Sequence, residues 1–242
     1  MKVYIPLLIG FASLNAQTTS LPKNSPISVL SSIKTIEAVD LNELTTFDPR
    51  WVDSLSLSLP CYEVPVPKRT MRLPNAPRNY RNGIHRGLDF FANWGTPVRS
   101  VAEGIVVRSD LHYEEVPADF RENLLKATTK VGHTPSDIFN SVLLGKSVFL
   151  DHGFDLIPGF RTISIYAHLS HIEKEIVPGA IVKRGELLGK SGNTGMREST
   201  IGSKAGSHLH WEMILQKGEK EIYLGKGMSN PELYDMLFRI FN

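Results

Sequence analysis

From Gly83 onward, glycine and proline cut the chain into apolar runs too short to form helices. Residues 98–101, 104–107, 147–150, 162–167, 181–182, 187–188 and 209–215 are such runs. A helix that buries one face needs about ten residues or more, so short runs between turn formers read as strands. The pattern predicts a mainly β domain, an antiparallel sheet or open β-sandwich. One stretch breaks the rhythm. Over 117–131, Phe120, Leu124, Ala127 and Val131 recur at helical spacing. Thr134-Pro135-Ser136-Asp137 then supplies a capping residue, an early proline and an acid, the start of a second helix. A two-helix insertion is therefore expected at about 111–145. A C-terminal helix is expected from Asn230-Pro231, burying Leu233, Met236, Leu237 and Ile240.

The N-terminal third has a different texture. Residues 1–16 read as a short secretory signal: Lys2 at the start, a mostly apolar stretch over 3–14, and small Ala16 before polar Gln17. The stretch is short for a membrane span. An exported protein, periplasmic or secreted, is expected, with no stable membrane insertion after cleavage. Residues 17–77 form an N-terminal extension. It ends in a proline-rich, basic stretch at 60–82 that reads as an extended connector on a surface. The compact domain is expected over 78–242.

Composition narrows the partners. Lys and Arg total 27 against 25 Asp and Glu, a net +2, too balanced for a dedicated nucleic-acid binder. The single cysteine, Cys61, has no partner for an internal disulfide and builds no Cys-based zinc site. It reads as a structural thiol.

Two constellations carry candidate chemistry: His85-Arg86-Gly87-Leu88-Asp89 and His208-Leu209-His210-Trp211-Glu212. In extended chain, residues two or four apart share a face. His208 and His210 then point one way, with Leu209, Trp211 and Met213 packed on the other side. His85 and Asp89 share a face in the same manner. Two imidazoles and a carboxylate suit a catalytic zinc that keeps one position open for water. A further histidine beside the metal suits proton transfer. Spacing alone does not say which histidines bind metal and which move protons.

These segments resemble the lysostaphin/LytM-type zinc metalloendopeptidases, which act on peptidoglycan. His85 to Phe90 with Gly95-Thr96-Pro97-Val98 is similar to that family's first motif, and Tyr166-Ala167-His168-Leu169-Ser170 to its middle one. Gly179, Val182, Gly185, Leu188 and Gly189, then Gly192-Asn193-Thr194-Gly195, resemble the turns that follow. Ser207 to Glu212 resembles the last motif. The resemblance runs from about Gly83 to Met213 in the family's order. It implies a LytM-type β domain and one zinc per chain, held by His85, Asp89 and His210. It further implies His208 as catalytic base and His168 as a second unligated histidine that positions water and steadies the oxyanion. The implied reaction is hydrolysis of peptide cross-links in peptidoglycan by metal-activated water, with peptide stems as the partner. The D-alanine to diaminopimelate cross-link is the bond expected.

The chain departs from the family in two places. The insertion at 111–145 is longer than the usual connection; it reads as a groove wall, a lid, a protein-partner site or a surface decoration. Residues 195–207 are also longer, and Gly206-Ser207 stands where the family has Gly-Pro. The alternative function is a noncatalytic relative that binds and activates another wall hydrolase. Such relatives lose metal ligands, and all five site positions are present here. A lipoyl- or biotin-carrier reading of the 104–106 strand and the 182–185 turn leaves those five residues unexplained. The other histidines have plain readings. His112, His133 and His171 are surface residues, and His152 makes a turn contact at a strand end or lines the groove. Glu212 is a partner behind His210 or a solvated residue. Glycines 189, 192 and 195 belong to hairpin turns rather than a phosphate loop.

Overall fold

The structure is a computed structural model that describes residues 46–241. The expected signal at 1–16 and the first part of the extension lie outside the described residues. Twelve strands are present among the described residues: β1 Pro77–Arg78, β2 Gly83–Ile84, β3 Leu88–Phe90, β4 Pro97–Arg99, β5 Gly104–Ser109, β6 Val148–Asp151, β7 Arg161–Ala167, β8 Leu169–Ile172, β9 Ile181–Val182, β10 Leu187–Ser191, β11 Leu209–Lys217 and β12 Lys220–Tyr223. The helices are α1 Ala118–Val131, α2 Ser136–Ile138, α3 Arg197–Thr200 and α4 Glu232–Ile240. Each run expected to be a strand falls on one.

The main sheet runs β12-β11-β7-β6-β5-β9, with β3 also paired to β11. A smaller sheet runs β4-β10-β8, and β1 and β2 form a ribbon. Every pairing is antiparallel. The protein is mainly β, as expected. Among the described residues no helix is long and apolar enough to cross a membrane.

Strand β11 shows how the sequence builds the centre. Leu209, Trp211, Met213 and Leu215 alternate along it and are fully buried in the main core. Burying side chains of this size contributes about 1.5–3 kcal/mol each. The opposite face carries His210, Glu212 and Ile214, also buried. Helix α4 closes the main core with Leu233, Met236, Leu237 and Ile240, the stripe read from sequence. Phe241 then sets its ring edge-on against Phe90 and Trp211.

The core also takes in Phe47, Val52, Leu55, Leu57, Cys61, Val66 and Leu73. These lie N-terminal of Arg78, where the sequence places the start of the compact domain. The prolines of the expected surface connector thus alternate with apolar residues that the core buries.

The insertion contains its two expected helices, but the first is turned differently. Phe120 and Val131 are 52% and 58% exposed, and the buried residues of α1 are Arg121 and Thr128. The expected apolar stripe faces outward. The inward face meets the polar loop at Gly195, where the Arg121 Nε–H donates to the carbonyl of Gly195. The second helix is one α-turn followed by a π-helical turn, Phe139–Leu143, closed by the Leu144 amide on the Phe139 carbonyl. That wider turn lays Phe139, Leu143 and Leu144 on Ile165, Ala167 and Ile214 as a second core. The insertion therefore covers the β7–β11 face rather than decorating the surface.

Candidate metal centre

The register of the main sheet assembles the site. His210 stands opposite Asp89 of β3 on one side and Ala167 of β7 on the other. Directly opposed residues in an antiparallel pair come within side-chain reach. Gly87 permits the approach of β3, because a Cβ there would lie 2.2 Å from the Trp211 carbonyl oxygen. His85 sits just before β3, and its amide and carbonyl bond to Ala76 and Asn75. His208 pairs with Gly192 immediately before β11.

His168 occupies the junction between β7 and β8, where the chain leaves the main sheet for the smaller one. Its φ is +60°, left-handed for a residue with a Cβ. The turn is held by its amide on the Leu144 carbonyl and brings the imidazole over β11. Its ring centroid lies 4.9 Å from that of His208 and 5.6 Å from that of His210.

His85, Asp89 and His210 converge on one point. His85 Nε2 lies 2.9 Å from Asp89 Oδ1 and 3.1 Å from His210 Nδ1; His210 Nδ1 lies 2.9 Å from Asp89 Oδ1. Tetrahedral zinc with bonds of about 2.0–2.1 Å separates its ligand atoms by about 3.3 Å. The far atom of each residue is already engaged. His85 Nδ1 donates to the Leu73 carbonyl at 2.8 Å, and His210 Nε2 to Glu212 Oε1 at 2.8 Å. Arg78 Nη2 donates to Asp89 Oδ2 at 2.9 Å. Carbonyls and carboxylates only accept, so the imidazole protons belong on the far nitrogens and the near lone pairs face one another. Two nitrogens and an oxygen presented this way fit a divalent cation of the zinc type.

The two remaining histidines follow the same rule. His168 Nδ1 donates to the Thr194 carbonyl at 2.8 Å and His208 Nδ1 to the Gly206 carbonyl at 2.7 Å. Each leaves Nε2 for the site. His208 Nε2 lies 3.5 Å from Asp89 Oδ1.

The electrostatics follow from burial and neighbours. Burial would raise Asp89, but His85, His208 and His210 around it outweigh this and hold its carboxyl well below the usual range. Burial lowers His85. Burial, with His208 and His210 alongside, pushes His168 well below an ordinary histidine. His210 goes the other way: burial is outweighed by Asp89 and Glu212, and it rises to about 9. Glu212 is fully buried, and its bond to His210 and the charge of Arg86 overcome burial to lower it. A strong negative field thus converges on His210 Nδ1, where either a proton or a metal cation satisfies it.

The five residues line one cavity of about 490 Å³. The insertion contributes Arg121, Phe139, Leu143 and Leu144 to its wall, and the long 195–207 loop contributes Gly195 and Met196. The other histidines lie elsewhere. His112 and His133 are exposed. The His171 side chain is about half exposed. His152 is buried away from the cavity, bonded to the Glu103 carbonyl and Ser164 Oγ. Sequence reasoning passed over Arg78, which holds Asp89, and Arg81 and Arg121, which line the cavity. The only sequence signals were a run of basic residues before His85 and one arginine in the insertion.

Residues 127–222, about two fifths of the chain, match the model of Peptidase family M23. The match includes His168, His208 and His210 and leaves His85 and Asp89 outside. An L-Ala--D-Glu endopeptidase of Bacillus subtilis (strain 168) is 26% identical over 142 residues, 57% of this chain and 32% of that protein. The chain thus spans about a third of that relative's length. The catalytic domain of the antimicrobial peptidase lysostaphin from Staphylococcus simulans is 21% identical, with 69% of this chain and 86% of that one covered, at a TM-score of 0.36. A zinc-containing peptidase from Vibrio cholerae is 20% identical, with 71% and 41% covered, at a TM-score of 0.37. The family resemblance read from the motifs is borne out.

Proposed function

Starting from Peptidase family M23 sequence over residues 127–222, we propose that this protein is an exported, zinc-dependent endopeptidase that hydrolyses peptide cross-links of bacterial peptidoglycan. The observation that carries the reading is the convergence of His85 Nε2, Asp89 Oδ1 and His210 Nδ1, each with its far atom engaged. Zinc bound there supplies a Lewis acid that polarises an amide carbonyl and makes water nucleophilic near neutral pH. Arg78 and Glu212 fix the direction of Asp89 and His210 from behind.

His208 acts as general base. With its proton on Nδ1 and bonded to Gly206, Nε2 receives the proton of the attacking water and passes it to the leaving amine. His168 presents Nε2 from the other wall. Burial keeps it neutral at rest, so Nε2 accepts a hydrogen bond and positions water. The partner is the peptide stem, and the site of action is the periplasm or outside the cell.

The test is release of soluble muropeptides from purified cross-linked peptidoglycan by the zinc-loaded protein, beside a chelator-treated sample. Loss of cross-linked dimers that depends on zinc is the expected result, and the product masses name the bond. Intact dimers in both samples would turn the assignment to a noncatalytic relative that activates another hydrolase.

A further inference from the structure

Part of the wall of the cavity that holds the metal triad is cationic. Arg81 and Arg121 both line it, and each is 7% exposed. A buried guanidinium is costly unless an opposite charge meets it. Neither has one. Arg81 Nη2 donates to the Ile84 carbonyl at 2.6 Å, and its guanidinium lies over the Phe139 ring at 4.7 Å. Arg121 Nε donates to the Gly195 carbonyl at 3.0 Å. The ion pairs among the described residues involve other arginines. Glu115, just before α1 in the chain, accepts hydrogen bonds from the Gly195 amide and the Tyr113 hydroxyl. Within the cavity lining the sole carboxylate is Asp89, which is already paired with Arg78 and belongs to the triad.

We propose that this wall selects the substrate by its charge: the cavity takes peptides with a free carboxylate, which Arg121 and Arg81 hold while the neighbouring amide reaches the triad. The inference rests on the peptidase reading and deepens it. Guanidinium donors form a planar fork that matches a carboxylate, and the fork of Arg121 has its Nη atoms left over once Nε has bonded Gly195. The insertion then has a function beyond covering the sheet: α1 delivers the selecting cation, and the bond to Gly195 fixes its direction. An acidic peptide supplies such a carboxylate from a D-glutamyl residue or from its own C-terminus.

The experiment uses the zinc-loaded full chain and a cross-linked dimer of the peptide L-Ala-D-Glu-L-Lys-D-Ala, with the D-Ala carbonyl of one copy joined to the lysine side chain of the other, in three forms. The first keeps both kinds of carboxylate, the second has the free D-Glu carboxylates amidated, and the third has the free C-terminal carboxylate amidated. Cleavage is read as kcat/KM and binding by calorimetry. A charge-assisted hydrogen-bond pair is worth about tenfold, so one amidation is expected to lower both readouts by about that factor, and the form affected names the source. Arg121→Gln is expected to lose about the same factor on the peptide with both carboxylates and nothing on the affected amide. Wild-type protein that binds and cleaves all three forms alike overturns the proposal without any variant. So does an Arg121→Gln loss equal on all three, which marks the residue as a prop for Gly195. Binding that discriminates among the forms with no cleavage of any keeps the carboxylate wall and sinks the peptidase.

Discussion

At the scale of residues, four imidazoles share one arrangement: a fixed acceptor behind one nitrogen leaves the other for the cavity. Three of those acceptors are backbone carbonyls, which no side-chain substitution removes. The fourth is Glu212, so its contribution can be tested. It is fully buried between His210 and Arg86. Glu212→Gln keeps the shape but removes the charge. It should weaken zinc binding by about 10- to 100-fold, the usual cost of losing a carboxylate behind a metal-binding histidine. Competition against a chromophoric chelator measures this. Unchanged affinity would mean that the carboxylate does not tune His210. The sequence alternation along 208–212 already put Glu212 on the face of His210. It did not show that Leu73, Thr194 and Gly206 supply the other acceptors, because carbonyl positions depend on loop paths that periodicity does not describe.

At the scale of elements, the β7–β8 junction joins structure to chemistry. His168 holds a left-handed φ there, which costs a residue with a Cβ about 1–2 kcal/mol. His168→Ala removes the imidazole and keeps the strain; His168→Gly removes both. The glycine variant should be more stable than the alanine variant by about 1 kcal/mol in urea unfolding, with both equally impaired in cleavage. Equal stabilities would show that the junction is not strained. The strands and α4 were legible because their periodicity faces one core, as with Leu233, Met236, Leu237 and Ile240. Helix α1 was legible as a helix and misleading in its orientation. Its apolar stripe at Phe120 and Val131 faces outward, and Arg121 turns inward to the Gly195 carbonyl. A single tertiary hydrogen bond to a loop some 70 residues away has no local signature.

At the scale of the whole molecule, acid sensitivity should reflect histidines kept neutral by burial. His152 is one that lies apart from the candidate metal centre, and burial lowers its pKa from the ordinary 6.5. Above that value folded and unfolded chains are both neutral at this position, and its contribution is fully present. As pH falls through 6.5, the unfolded chain takes a proton that the folded chain refuses until its own lower pKa is reached, so stability declines. The slope from one such group is at most about 1.4 kcal/mol per pH unit. Metal-free wild-type protein should therefore lose stability more steeply than His152→Gln below pH 6.5. Parallel denaturation midpoints across that range would remove His152 from the account.

The two cores meet at β7 and β11, and the candidate site lies where these strands pass the insertion. The most direct measurement is the zinc content of the purified protein beside His210→Ala, by elemental analysis after dialysis against trace zinc. The geometry predicts one zinc per chain in the wild type and none retained by the variant, with the fold of both intact by circular dichroism. Wild-type protein without zinc, or a variant that keeps it, would contradict the assignment of His85, Asp89 and His210 as the metal centre.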